Sequence, residues 1–189
     1  MYYLFFKLWR YLHSKWDNSY DLLYNACESL KKGGANGIAL CANTAHLYAD
    51  KLQEAINLPI IHIVDETAKI IKKKGFKKIG LLGTKFTMEM DFYRNKLESF
   101  ELEVIIPEKQ ETRDYIQFTL REELGVGFIN PATKEKYKEI VKELVDKGVE
   151  CIVLGCTEIP MLLSQEDFEI SVFDTTKIHS QAIIEFITS

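Results

Sequence analysis

Two hydrophobic patterns alternate along the chain. Short continuous apolar runs, typical of strands buried on both faces, are separated by segments with apolar residues every three or four positions, typical of amphipathic helices. The predicted strands are GIALC (37–41), PIIHIV (59–64), KIGLLG (78–83), EVIIP (103–107), CIVLG (151–155) and ISVFD (170–174). The alternation predicts an α/β protein with parallel sheets flanked by helices, in which ligands bind at the carboxyl ends of the strands.

Polar and glycine residues mark the predicted helix ends. Ser19 is a candidate N-cap for a first helix that ends at Gly33 and Gly34, and Asp65 opens a helix that Gly75 closes. The remaining predicted helices cover 46–57, 88–100, 110–123, 133–147, a short segment after CIVLG, and the chain after Asp174.

An internal repeat divides the chain into two related parts. GANGIALCANTA (34–45) is similar to GVECIVLGCTEI (148–159), and Asp65 and Asp174 each follow a predicted strand and open a helix. Such repetition predicts two pseudo-symmetric α/β lobes that face each other across a cleft. We assign residues 1–65 plus 174–189 to the first lobe and residues 66–173 to the second.

Composition narrows the class of protein. The 189 residues are 47% hydrophobic, and 24 basic against 28 acidic side chains give a formal net charge of -4. This is ordinary globular usage, and the negative charge argues against nucleic acid as a partner. The four cysteines, at 27, 41, 151 and 156, lack the spacing of metal knuckles or of a secreted disulfide framework, so we expect a cytoplasmic protein without a metal.

The segment MYYLFFKLWRYL (1–12) is the one apolar stretch that resembles a targeting sequence. Lys7 and Arg10 interrupt it and no small-residue cleavage site follows. We interpret it as an amphipathic edge strand or a first helix, with a helix on a membrane surface as the alternative. The sequence therefore predicts neither a signal peptide nor a membrane span.

Four motifs together resemble the aspartate/glutamate racemase family. They are NTAH (43–46), GLLGTKFTMEMDFY (80–93), VLGCTEIP (153–160) and FDTTKIH (173–179), and the resemblance runs from about residue 20 to the end. It implies an amino-acid racemase, an isomerase that needs no pyridoxal phosphate or other cofactor, with a two-lobed fold that is often dimeric. One cysteine from each lobe would lie on each face of the substrate Cα.

Racemisation explains why cysteines are wanted in these turns. One group removes the Cα proton and another returns a proton to the opposite face, and a thiolate can do this if its pKa, about 8.5 when free, is lowered. Both cysteine turns are predicted to open helices, which would lower that pKa. Cys156 is the first catalytic candidate and Cys41 the second, although the internal repeat places Ala42, rather than Cys41, opposite Cys156.

The same motifs supply candidates for substrate binding and support. The substrate-binding candidates are Asn43, Thr44, Thr84, Thr87 and Thr157. Glu158 and His179 are candidates for supporting positions around the catalytic thiol. We interpret His46 and His62 as structural, and Cys27 and Cys151 as small core residues.

Two departures from the family pattern leave alternatives open. The chain begins after the Gly-rich strand-turn of the family, so the first lobe is expected to lack its N-terminal portion, and Val126 or Phe128 stands where relatives often carry a basic residue. Aspartate or glutamate is therefore inferred as substrate from the resemblance. The alternatives are one-sided, single-cysteine chemistry, as in arylmalonate decarboxylases, and a truncated, non-catalytic protein that binds a small acid.

Overall fold

Eight helices and six strands make up the part of the chain that the computed structural model describes, residues 16–189. The helices are α1 (Trp16–Lys32), α2 (Ala49–Ile56), α3 (Ile63–Lys73), α4 (Lys85–Glu89), α5 (Asp91–Glu98), α6 (Gln110–Glu122), α7 (Pro131–Val145) and α8 (Thr175–Thr188). The strands are β1 (Ile38–Ala39), β2 (Ile60–Ile61), β3 (Lys78–Gly83), β4 (Glu103–Ile105), β5 (Cys151–Gly155) and β6 (Ser171–Asp174). Short 3-10 helices cover Asn43–Tyr48, Leu124–Val126, Ile159–Met161 and Gln165–Asp167. The segment 1–12, interpreted above as an edge strand or first helix, lies outside the described residues.

The strands form two parallel sheets. β1 pairs with β2, with Ile38 opposite Ile60, and the larger sheet has the order β4-β3-β5-β6. All three pairings in the larger sheet are parallel. This confirms the predicted α/β class with parallel sheets, while the division into lobes 1–65 plus 174–189 and 66–173 stays a prediction.

The larger sheet is covered on both faces, and its two central strands are buried at every position except Lys78 at the start of β3. Along β5, Ile152 and Leu154 pack into one apolar cluster with Tyr137 of α7. Cys151 and Val153 face the other way and pack into a second cluster. Alternate residues of a strand point to opposite faces, so a continuous apolar run is what a sheet between two layers of helices requires.

A third apolar cluster surrounds the small sheet. Cys27 of α1 and Leu52 of α2 pack against Ile38 and Ile60. Cys27 and Cys151 are both buried, as predicted. Among the described helices, none is long and apolar enough to cross a bilayer.

Several predicted helix starts differ from the observed ones. Ser19 lies inside α1, where its buried hydroxyl has no hydrogen-bond partner, so it is not the N-cap. The helix predicted to open at Asp65 begins at Ile63, because the β1–β2 pairing ends at Ile61 and the Nδ1 of His62 accepts a hydrogen bond from the Val64 N–H. The prediction for Asp65 was therefore wrong.

Asp174 behaves as predicted. It is the last residue of β6, and its carboxylate accepts hydrogen bonds from the N–H groups of Thr176 and Lys177 at the start of α8. The predicted helix 88–100 is instead two helices, because Met90 adopts extended backbone angles between α4 and α5. This break turns α5 and positions Tyr93 in the interior, where it has no exposed surface.

Candidate active site

A cavity of about 590 Å³ lies where β1, β3 and β5 end. The turn after β1 contributes Ala42, Asn43 and Thr44, and the segment after β3 contributes Thr84 and Thr87. The end of β5 and the following turn contribute residues 155–158. The far wall is made by Gln117, Leu120 and Arg121 of α6, by residues 124–127 and by Met161. The cavity therefore joins the carboxyl ends of both sheets, where ligands bind in α/β folds.

Most of the predicted site residues meet at this cavity. Those that line it are Asn43, Thr44, Thr84, Thr87, Cys156, Thr157 and Glu158. Two predicted residues are not among those lining it: Cys41, which is exposed, and His179, which is buried elsewhere. The structure thus assembles a site with one thiol, and Ala42 occupies the position on the first turn that corresponds to Cys156.

The local chain direction explains why Cys41 points away. Leu40 is buried in the small sheet's apolar cluster, Cys41 is exposed, and Ala42 turns back toward the cavity. In extended backbone such alternation is expected, since neighbouring side chains project to opposite sides. A shift of one residue is therefore enough to separate a thiol from the site.

Cys156 is held as a protonated thiol. Its Sγ donates a hydrogen bond to Oε2 of Glu158 at 2.8 Å. Burial raises the pKa of the Cys156 thiol well above its usual value, and the negative charge of Glu158 and the hydrogen bond to it raise it further. The backbone N–H groups of Glu158 and Thr157 act in the opposite direction and are outweighed.

This result corrects the expectation that the turn lowers the pKa of Cys156. The helix after the turn is a 3-10 segment of three residues, Ile159–Met161, which provides little helix dipole. Burial is the largest cause of the raised pKa of Cys156, and the carboxylate two positions along the chain adds a full charge in direct contact with the thiol. Cys156 and Glu158 form a pair in which one proton can move between sulfur and oxygen.

The ends of β3 and β5 approach closely beneath the site. A Cβ on Gly155 would lie 3.0 Å from Leu81 Cδ1 and 3.0 Å from Thr87 Cγ2, so a larger residue there would require these side chains to shift. Thr84 caps α4: its Oγ1 accepts from the Thr87 N–H, and the two hydroxyls are 3.1 Å apart. Thr84 and Thr87 thus combine capping with a position on the cavity wall.

The sequence did not reveal the α6 wall. Gln117, Leu120, Arg121 and Leu124 are spaced three and four apart, so they share one face of α6 and its continuation. Arg121 is the single cationic side chain among the described lining residues, and its Nε also contacts the Glu122 carboxylate at 2.6 Å. That spacing was readable in the sequence, but nothing local distinguishes a helix face on a cavity from one on the core.

A cluster of three buried histidines lies under the first turn. The rings of His62 and His179 pack edge-on against His46, with centroids 4.7 and 5.5 Å away. His46 Nε2 accepts from the Ile63 N–H, so its Nδ1 carries the hydrogen and donates to the Ala42 carbonyl at 3.0 Å. His179 Nε2 meets the Ile61 carbonyl at 2.7 Å and ties α8 to β2.

Burial keeps these imidazoles neutral. It lowers the pKa of His46 to about 4 and that of His62 to about 3, and it also lowers the pKa of His179. Neighbouring histidines also lower the pKa of His46 and that of His62. Within residues 16–189 no group of three or more His, Cys, Asp or Glu side chains is arranged to hold a metal ion.

Comparison with known proteins agrees with the geometry. Curated relatives include the broad specificity amino-acid racemase RacX of Bacillus subtilis, 27% identical over 85% of this chain and 68% of its own length. A glutamate racemase of Sulfurihydrogenibium sp. is 34% identical over 67% of this chain and 48% of its own. The crystal structure of an Asp/Glu racemase candidate from Yersinia pestis superposes with a TM-score of 0.90 and is 40% identical, covering 98% of this chain and 81% of that one.

The chain spans between about half and about two thirds of the length of these two curated racemases. The sequence model of the Asp/Glu/Hydantoin racemase family matches residues 12–183, which is most of the sequence. With a thiol, a carboxylate and a hydroxyl-lined cavity at the strand ends, the chain belongs to the Asp/Glu/Hydantoin racemase family.

Proposed function

We propose that this protein is a cofactor-independent amino-acid racemase that acts on aspartate or glutamate by proton transfer at Cα. The observation that carries the proposal is the Cys156–Glu158 pair on the wall of the cavity, 2.8 Å from sulfur to oxygen. Membership of a racemase family supports the reaction type. The reaction needs a group that can both accept and donate a proton at Cα, and the pair supplies one.

The location of the proton in the Cys156–Glu158 pair suggests the order of the reaction steps. Transfer of the thiol proton of Cys156 to Glu158 leaves a thiolate, which then removes the proton from the substrate Cα. The carbanion that results is stabilised by donors directed at the substrate carboxylate. The Thr157 hydroxyl lies on the cavity wall, and of the paired Thr84 and Thr87 hydroxyls one keeps its hydrogen for the substrate. At the end of the cycle Glu158 releases the original thiol proton to solvent, while the group on the opposite face regains the proton that it gave to Cα. In the reverse direction the Cys156 thiol donates its proton to the carbanion, and Glu158 returns a proton to the thiolate.

The face of the substrate Cα opposite Cys156 is served by groups other than a thiol. Ala42 lies at the position that corresponds to Cys156 and offers no proton, and Cys41 does not line the cavity. We propose that the second proton comes through a hydroxyl or a water molecule at the first turn, beside Thr44. A role for Cys41 would require the turn to rotate by one residue.

Arg121 supports an acidic substrate. A cavity with one cation and a thiol–carboxylate pair at separate positions is suited to a dicarboxylate, whose second carboxylate Arg121 can bind. Exchanging Arg121→Gln should raise the KM for aspartate or glutamate about fivefold, less than a buried pair would, since the side chain is largely exposed. Lys85→Gln removes a nearby cation that does not line the cavity and should leave KM unchanged.

Hydrogen exchange at Cα in heavy water tests the proposed function. L- and D-aspartate and L- and D-glutamate are incubated with the protein, and deuterium incorporation and chirality are followed by NMR and chiral chromatography. Deuterium in the opposite enantiomer is the expected result. Failure of all four acids to exchange would overturn the proposal and favour a protein that binds a small acid without catalysis.

One-sided chemistry is the second candidate, and the single thiol of the cavity favours it. With Cys156 alone, a carbanion would receive its proton from one face. Exchange of deuterium into one enantiomer with retained chirality, or decarboxylation of a malonate with a single product enantiomer, is the expected signature. The same exchange experiment therefore separates the two candidates.

A further inference from the structure

A buried series of hydrogen bonds connects the first turn with the strand that carries the thiol. Tyr93 Oη donates to Asn43 Oδ1 at 3.0 Å, and Asn43 Nδ2 donates to Thr175 Oγ1 at 3.3 Å. Thr175 Oγ1 in turn donates to the carbonyl oxygen of Leu154 at 2.8 Å. Leu154 lies in β5, two residues before Cys156, so the series connects the first turn with the strand that leads to the thiol.

The donor and the acceptor in each of these hydrogen bonds follow from the backbone carbonyl of Leu154 at one end of the series. A backbone carbonyl can only accept, so the single hydrogen of the Thr175 hydroxyl points to Leu154. The lone pair of Thr175 Oγ1 is then available to the amide nitrogen of Asn43, which leaves Asn43 Oδ1 to accept from Tyr93. The amide of Asn43 can therefore adopt only one of its two flipped orientations.

Burial makes this arrangement hard to change. Tyr93 and Thr175 have no exposed surface and Asn43 is 5% exposed. Burial raises the pKa of the Tyr93 hydroxyl, which stays a donor at all ordinary pH values. A flipped or rotated amide would leave buried polar atoms without partners, and such atoms are costly.

Asn43 retains one N–H for a ligand. Its amide carries two hydrogens, of which one is used on Thr175, and the residue lines the cavity. We propose that Tyr93 and Thr175 are positioning residues that hold the Asn43 amide in the orientation in which it meets the bound amino acid. This inference rests on the proposed function for its substrate, and it assigns roles to two residues outside the cavity lining.

The test uses variants that remove one hydroxyl each. Tyr93→Phe and Thr175→Val delete the two contacts to Asn43, while Thr175→Ser keeps the hydroxyl. Tyr137→Phe is the matched control: Tyr137 is equally buried, packs in the same apolar cluster as Cys156, and bonds Thr119 instead of the first turn. Loss of one oriented hydrogen bond should lower kcat for Cα exchange about three- to tenfold in Tyr93→Phe and Thr175→Val, with little change in KM.

Thr175→Ser and Tyr137→Phe should keep the wild-type kcat even where their thermal stability falls. Equal kcat in Tyr93→Phe and the wild type, or an equal fall in both tyrosine variants, would overturn the inference. The side-chain amide resonances of Asn43, assigned with Asn43→Asp, give a readout that does not need activity.

Those resonances should shift and exchange faster with solvent in Tyr93→Phe and not in Tyr137→Phe. A wild type without Cα exchange would reject the proposed function, and the resonances would then decide on the positioning role alone. Resonances that stay unmoved in Tyr93→Phe would reject the positioning role. If one of these two variants fails to fold, the other still tests the positioning of Asn43, because Tyr93→Phe and Thr175→Val each remove a different contact of its amide.

Discussion

The turn after β1 and the turn after β5 occupy matching places at the cavity but carry different chemistry. Ala42 and Cys156 both line the cavity, and the residues that follow, Asn43 and Thr157, do so as well. In the second turn a thiol is bonded to Glu158; in the first, a methyl group faces the cavity and the cysteine is exposed. Both turns thus present a residue to the cavity at matching places, and the side chain at each place decides its chemistry.

The surroundings of the two turns also differ. Gly155 lies inside the four-stranded sheet, where a side chain would collide with Leu81 and Thr87. Cys41, which corresponds to Gly155 in the repeat, follows a strand paired with β2 in the small sheet, and its side chain is exposed. Neutral histidines lie under the first turn, whereas a carboxylate is bonded to the thiol of the second, so a thiol–carboxylate pair is found at the second turn only.

The largest effect should come from removing the thiol of the second turn. Cys156→Ser should lower Cα exchange at least hundredfold, the range expected for a lost acid/base group. Cys41→Ser is the matched variant in the first turn and should change the rate less than about twofold, within the scatter of surface substitutions. Steady-state exchange rates in heavy water check both, and a large loss in Cys41→Ser would restore a two-thiol mechanism.

Removing the carboxylate of Glu158 should change the reactivity of the Cys156 thiol and the rate of Cα exchange in opposite directions. Glu158→Gln should lower the pKa of Cys156, because the negative charge that raises it is gone. Alkylation of Cys156 by iodoacetamide at neutral pH should therefore become faster, while Cα exchange falls about tenfold or more for want of a proton acceptor. Slower alkylation than in the wild type would contradict the assigned role of Glu158; Glu166→Gln, on the surface, serves as control.

Introducing a thiol in the first turn should make the two turns more alike. Ala42→Cys places sulfur at the position that corresponds to Cys156, and there is space for it on the cavity wall. The ratio of racemisation to one-sided exchange should increase about tenfold, as a second acid/base group serves the other face. Chiral chromatography of the product measures this ratio, and an unchanged ratio would show that Ala42 does not face the substrate Cα.

The histidines under the first turn should make stability depend gradually on pH. Unfolded histidine has a pKa near 6.5, whereas the folded values are about 4 for His46 and about 3 for His62. The unfolded state binds more protons in between, so this stability is complete above pH 6.5 and is lost as the pH falls through that interval. The free energy of unfolding should fall by at most about 1.4 kcal/mol per pH unit for each histidine.

Urea unfolding from about pH 7.5 to about pH 5 measures this slope. His46→Gln should flatten the slope, since Gln can still meet the Ala42 carbonyl without titrating. His13→Gln, outside the described residues, provides a composition-matched comparison. A slope identical in His46→Gln and the wild type would remove His46 as its source.

Much of the fold was readable from the sequence, and for a clear reason. Six apolar runs gave six strands in the predicted order, because burial between helices needs such runs whatever the rest of the chain does. The predicted strand ends differ from the observed ones: PIIHIV contains a strand of two residues followed by the start of α3, since pairing with β1 stops at Ile61. The hydrophobic pattern of one segment does not depend on the length of the strand that pairs with it, so it does not predict where the pairing ends.

For the site, the sequence alone predicted Cys156, Glu158 and the polar residues of the two turns, because their motifs are local, and these residues lie on the cavity wall. Only the tertiary structure decided the direction of Cys41, the pKa of Cys156 and the presence of Arg121, Tyr93 and Thr175 around the cavity. Each of these depends on a residue or a layer distant in sequence, as the 132 positions between Asn43 and Thr175 illustrate. Orientation, burial and charge proximity are properties of the packed chain, so they become definite only when both sheets are in place.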